Sequence, residues 1–175
     1  GYKRQLVNLL PLGAQERITA FLPVGKGRQN KFVFMSTADG IVKKCSLESF
    51  SRPRPSGLRA ITLSEGDELV SAGMTQGNSD LLLFSCSGKS IRFAETDVRV
   101  MGRSARGVKG IALKPDQRLI SMLVVDQAEL DTSVLTATAR GYGKRTAVKA
   151  FPHTRRGGHG VIAMQHGNRG GAMVG

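Results

Sequence analysis

The chain repeats itself, and the repeat decides most of what it can fold into. Four segments fall in register: ERITAFLPV from Glu16, DELVSAGM from Asp67, QRLISMLVV from Gln117 and NRGGAMVG from Asn168, with starts 51, 50 and 51 residues apart. Upstream of each, at one fixed offset, sits an apolar pair with a residue between: Leu10 and Leu12, Ile61 and Leu63, Ile111 and Leu113, Ile162 and Met164. Downstream come FMSTADGIVKK (34–44), LFSCSGKSIRF (83–93) and LTATARGYGKRT (135–146). In each, an apolar run meets a glycine turn and then a strand carrying cations. A period near 50 residues belongs to solenoids, propellers and related arrays. The apolar runs are short, rich in Val, Ile, Leu and Phe, and bounded by Gly, Asp, Asn or Pro, so they read as strands. The turns STADGIV and SCSGKSI read as hairpins, with glycine supplying the positive φ of a tight turn.

Runs such as LISMLVV (119–125) and DLLLFS (80–85) are apolar on both faces. A strand of that kind needs cover on both sides, which stacking one small sheet on the next provides. The expected fold is therefore all-β, a propeller-like array of four-stranded blades. Residues 1–175 form one repeat domain, with blades at roughly 1–51, 52–101, 102–153 and a partial one at 154–175. Trp is absent, which excludes the Trp-Asp propeller repeat. The partial fourth copy predicts that the chain is part of a longer repeat domain, since rings close with about 4–8 blades.

Charge narrows the partner. Lys and Arg number 26 against 13 Asp and Glu, a net charge of +13. That balance favours a polyanion, with nucleic acid ahead of a membrane surface. No apolar run approaches the ~18–20 residues that span a bilayer, and the first twelve residues lack a signal-peptide cleavage pattern. Cys45 and Cys86 sit in strand-like runs and do not read as a disulfide framework. Together these predict a cytoplasmic, reduced protein.

The cations have places in the repeat. RPRPSGLRAITL (52–63), RSARGVKGIAL (103–113) and TRRGGHGVIAM (154–164) occupy equivalent positions ahead of a strand. They carry Arg52, Arg54 and Arg59; Arg103, Arg106 and Lys109; and Arg155 and Arg156. The opening copy offers Lys3 and Arg4. The acidic residues Glu65, Asp67, Glu68, Glu95 and Asp97 lie outside these loops. Equivalent loops of successive blades share one edge, so the three make a basic track rather than a pocket. Arg offers a planar fork suited to phosphate, and Gly lets main-chain N–H groups approach it. Aromatics make up only 5%, and Tyr142 alone interleaves with cations, which points away from base stacking. The residues favour duplex DNA held by its backbone. A propeller serving as a scaffold for an acidic protein partner is the alternative.

VNLLPL, ERITAFLPV, DGIVKK, VMGRSARGVKGI and LTATARGYGKRTAV closely resemble the C-terminal domain family of bacterial DNA gyrase A subunits, over about residues 6–164. The paralogous topoisomerase IV domain is the nearest rival. The resemblance implies a β-pinwheel of about six blades whose hairpins exchange between neighbours, and a basic rim that wraps DNA so that strand passage introduces negative supercoils. It implies as partners duplex DNA, the N-terminal cleavage domain of the same polypeptide and the B subunit of gyrase, in the bacterial nucleoid. It implies ATP and Mg for the whole enzyme and no cofactor here. TRRGGHG resembles the family's QRRGGKG box in Arg155, Arg156, Gly157, Gly158 and Gly160, with Thr154 for Gln and His159 for Lys. It follows three repeats, so it reads as a degenerate internal copy rather than the first-blade box. The expected DNA contacts are the loop cations together with the hairpin-strand cations Lys43, Lys44, Lys89, Arg92, Lys144 and Arg145.

No catalytic constellation is visible. His153, His159 and His166 stand six and seven residues apart, with no Cys or carboxylate among them, which matches no common zinc spacing. GYGKRT lacks the third glycine of a dinucleotide loop, and no P-loop pattern occurs. Met35, Met74 and Met122 lie in strand-like runs and read as core.

Overall fold

The computed structural model describes residues 13, 16–25, 30–52, 54–164 and 171–174. Lys3, Arg4, Leu10, Leu12, His166 and the start of the NRGGAMVG segment lie outside them. The elements are strands joined by turns and short 3₁₀ segments: β1 (Phe32–Thr37), β2 (Ile41–Ser46), β3 (Leu69–Thr75), β4 (Asp80–Ser85), β5 (Lys89–Ala94), β6 (Val108–Lys109), β7 (Leu119–Val125), β8 (Ser133–Ala137), β9 (Gly143–Ala147) and β10 (Val161–Ile162). Each predicted hairpin is present as an antiparallel pair, β1–β2, β4–β5 and β8–β9. Gly40, Gly88 and Gly141 close the turns at φ of 80°, 75° and 80°, a region closed to most side chains.

Two four-stranded sheets are built by one rule. The first has the order β3-β1-β2-β6, the second β10-β5-β4-β7. A hairpin from one repeat forms the middle, the long strand of the next repeat covers one edge, and a two-residue strand from the repeat after that covers the other. Each sheet thus draws on three successive copies, and the contiguous boundaries at 52, 102 and 154 cut across sheets instead of between them. A register shift at Ser36/Thr37 against β3 recurs at Phe84/Ser85 against β7. The third hairpin is joined at one end by Met173, which bridges Thr138.

Period-two alternation then sorts side chains between layers. Phe34 and Val42 of the first sheet meet Leu81, Leu83, Ile91 and Phe93 of the second, with Ile111 and Met122. On the other face of the second sheet, Leu82 and Phe84 pack with Val148, Phe151 and Met173. Val33, Met35 and Cys45 form a third cluster on the far face of the first sheet. Every residue of β4 is buried, as its double-sided apolar pattern requires. In β7 only Leu119, Met122 and Val125 are buried, because that strand is an edge. Met35 and Met122 are core residues and Met74 is half-buried. Cys45 and Cys86 are free thiols.

At Gly110 the incoming loop packs tightly against both of the first two sheets. A methyl group there would lie 2.6 Å from Val42 Cγ1 and 2.8 Å from Leu83 Cδ1. Gly110→Ala is expected to cost about 1–3 kcal/mol through overpacking. Gly102→Ala, in open space, is expected to stay within about 0.5 kcal/mol. Thermal unfolding followed by circular dichroism checks both.

Candidate nucleic-acid interface

The cations divide into two populations that composition alone does not separate. Lys43, Lys44 and Arg92 were expected on the rim, and the structure places all three inside, at 0%, 5% and 8% exposure. Strand parity explains it. Lys44 shares a face with Phe34 and Val42 and points into the next sheet, where its ammonium meets Glu95 at 2.5 Å and lies 4.2 Å from the Phe32 ring centroid. Glu95 also accepts from Thr75 Oγ1 and from the N–H groups of Gly77 and Ser79. Burial opposes its ionisation, but Lys44, the Ser79 N–H and Thr75 outweigh it, so its carboxyl is held below the usual value.

Arg92 occupies the equivalent position one repeat on. Its Nε and Nη2 donate to Asp80 Oδ2 at 2.8 and 2.7 Å. Its Nη1 reaches forward to the Val148 and Phe151 carbonyls. His153 stands 3.4 Å from the other Asp80 oxygen. In both copies the cation latches a sheet to the repeat that follows. The third copy, Arg145, is exposed. Sequence reading placed Glu95 with the rim-avoiding acids and gave Asp80 no role. The visible signal was that each stands at the end of a strand of the buried hairpin β4–β5.

Lys43 points to the opposite face. Its ammonium donates to the carbonyls of Ala60 and Arg103, at 2.7 and 2.5 Å. Burial lowers its pKa, with the Cys45 thiol partly offsetting this. Those two carbonyls belong to two successive basic loops, so a buried cation staples together the segments that carry exposed ones.

Further bonds lay the loops side by side. Thr62 donates through N and Oγ1 to the carbonyls of Ala105 and Ser104. Ala112 N–H donates to Gly158 O, and Gly157 N–H to Gly110 O. The loops around 52–62, 103–112 and 154–160 are therefore consecutive neighbours. Arg52, Arg54, Arg59, Arg106, Lys109 and Arg155 are exposed along them, and Arg103 is half-buried. Lys144 and Arg145 on β9 are exposed, while Lys89 is half-buried beside β10.

The TRRGGHG loop is docked and not free. Thr154 N–H donates to Arg92 O. Arg156 commits Nε to Asp97 O and Nη1 to Lys109 O, at 2.9 and 3.0 Å. Gly160 has φ of 68°, and a Cβ there would lie 2.5 Å from Ser90 O. Of this segment's two arginines, Arg155 is exposed and Arg156 half-buried, and His159 is exposed as well. Among the described residues no three His, Cys, Asp or Glu side chains gather as a metal site. No helix among them is long and apolar enough to cross a membrane.

The family described as DNA gyrase C-terminal domain, beta-propeller, matches residues 31–76, 79–126 and 132–170. The chain is 48% identical over 172 residues to the DNA gyrase A subunit of Salmonella typhimurium, and 46% identical to that of Escherichia coli. Each alignment covers 98% of this chain and 19% of the relative, so the chain spans about a fifth of their length. A crystal structure of the C-terminal domain of DNA topoisomerase IV superposes with a TM-score of 0.88 at 27% identity, covering 98% of this chain and 53% of that one. A DNA gyrase A C-terminal domain gives 0.83 at 24%, covering 98% and 57%.

The two populations should respond differently to neutralisation. Arg92→Met is expected to lower stability by about 3–5 kcal/mol, because Asp80 is left buried without its partner, whereas Lys109→Ala is expected to leave the melting temperature within a degree or two. Glu95 adds a pH dependence. Its folded pKa lies below the ordinary 4.5, so its stabilisation is present above that value and is lost as pH falls through the folded one. Melting temperature plotted from pH 6 down to about 3 should fall less steeply in Glu95→Gln, from a lower starting point.

Proposed function

The chain belongs to the DNA gyrase C-terminal domain family, and from that premise we propose that it is a non-catalytic module that binds duplex DNA by its backbone and bends it along the three basic loops. The observation that carries this is the loop-to-loop bonding: cations from three successive repeats lie on adjoining segments instead of being scattered, with Lys43 and Thr62 fixing two of them together. A fixed row of guanidinium and ammonium groups suits a regular row of phosphates. Bending a 20–30 bp stretch by 40–90° costs on the order of 1–6 kcal/mol, and several phosphate contacts spread along an arc offset it.

Within the longer relatives this module would hold DNA while other domains cut, pass and rejoin it. Its proposed partners are the cleavage domain of the same polypeptide and the B subunit of gyrase, in the bacterial cytoplasm at the nucleoid. Strand passage, ATP and Mg are assigned to those other parts. Lys144 and Arg145 extend the proposed contact surface onto β9. Lys43, Lys44 and Arg92 are removed from it.

A salt titration tests the reading. With about 6–10 phosphates neutralised, affinity for a duplex should fall by roughly 10³–10⁵ between 50 and 200 mM salt. A nearly flat response would contradict backbone binding. Arg106→Ala with Lys109→Ala should weaken binding to unrelated sequences equally, and sequence-selective loss would count against it. Relaxing a plasmid with topoisomerase I in the presence of the protein reads bending directly: a dose-dependent linking-number shift indicates a chiral path, and binding without a shift means the track holds DNA straight. An acidic-protein scaffold would instead be left undisturbed by competing duplex DNA.

A further inference from the structure

Between the first two basic loops lies a crevice of about 330 Å³ lined by Ser49, Ser51, Arg52, Arg54, Leu58 and Arg103. Two arginines come from one repeat and the third from the next, so the site exists only where two loops meet. Its walls are fixed relative to each other. The buried Lys43 ammonium holds Ala60 O on one side and Arg103 O on the other, and Thr62 binds Ser104 and Ala105 across the same seam. No carboxylate is among the six lining residues. The pocket lined by Arg155 and Arg156 differs in two ways: it includes Asp97, and Arg156 has spent its Nε and Nη1 on carbonyls.

Resting on the DNA-binding reading above, we propose that the crevice is a clamp for a single backbone phosphate, gripped jointly by Arg54 and Arg103 with Arg52 at its mouth. The ligand class is a phosphodiester oxygen of duplex DNA. Arginine forks from two sides match the tetrahedral spread of phosphate oxygens. Because Lys43 sets the spacing before DNA arrives, little ordering cost remains at binding. In the Asp97-bearing pocket a carboxylate opposes the same ligand, so the clamp belongs to the seam between the first two loops and is not repeated in that pocket.

The test is a double-substitution cycle read by fluorescence anisotropy with a fluorescein-labelled duplex of arbitrary sequence. Arg54→Ala, Arg103→Ala and the pair are compared with Arg54→Ala, Lys109→Ala and that pair. Two groups on one phosphate are coupled, so the first pair should lose clearly less affinity than the product of its single losses, while the second pair should multiply. The log–log salt slope should shrink by about one for the Arg54/Arg103 pair together. Substituting Arg103 leaves its main-chain carbonyl for Lys43, and melting curves confirm that each variant is folded. If losses from Arg54 and Arg103 multiply, or if neither substitution changes affinity, the clamp is overturned while the salt-dependent binding of the unsubstituted protein still stands. If the unsubstituted protein fails to bind duplex at all, the parent reading falls, and the clamp with it.

Discussion

One inner strand of each four-stranded sheet, β1 in the first and β4 in the second, is apolar on both faces, and the need to cover both is the constraint from which the rest follows. β4 sets the case, buried at every position. A sheet built around such a strand is stable only between two neighbours, so repeats must stack. Once they stack, a cation on a covered face must find carboxylates or carbonyls to receive it, and the adjoining copy supplies part of each set. Lys44 finds Glu95 in the next repeat; Arg92 finds Asp80 in its own and carbonyls in the next. Removing one member of such a pair is costly, whereas an apolar replacement of both can be neutral. The Lys44–Glu95 pair and the bonds from Arg92 to the Val148 and Phe151 carbonyls therefore fix which repeat sits against which more than they add to total stability.

Covering both faces also decides what is left outside. Apolar positions are consumed by the stacks, and the loops that pass between sheets carry the surplus positive charge. Their order is imposed by main-chain bonds such as Ala112 to Gly158 and Gly157 to Gly110, which need no particular side chain. Glycine is required at Gly160 because Ser90 O occupies the space of a Cβ. The exposed arginines of these loops ride on a scaffold held by main-chain bonds and by the committed side chains of Lys43, Arg92 and Arg156, which leaves the exposed charges free to vary while the fold stays fixed.

The repeat, the three hairpins and the adjoining basic loops were legible in the sequence, because period-two alternation and glycine turns are local signals. Two things were not. β6 and β10 are two residues long and sit inside glycine-rich loops, so no apolar pattern announces that they finish a sheet begun two repeats earlier. The burial of Lys44 was available from parity, since it stands two residues from Val42 and opposite Phe34. A cation following a turn nonetheless looks like surface until both faces of its strand are known to be covered. The joint crevice of Arg54 and Arg103 was hidden for a similar reason: its halves lie in different copies, and register alone does not bring them together.

The assembly of each sheet from three copies has a consequence for the newborn chain. β2 ends at Ser46, and its last partner, β6, begins at Val108. On a ribosome working at about 5–20 residues per second, that edge stays open for several seconds after its own hairpin has emerged. The same wait returns one repeat later for β5 and β10. An open strand edge is a template for wrong pairing, and here the nearest wrong partner is a near-copy from the same polypeptide. The latches between successive copies differ, Lys44 reaching the Glu95 carboxylate and Arg92 the Val148 and Phe151 carbonyls, and that difference distinguishes one register from the next during that interval.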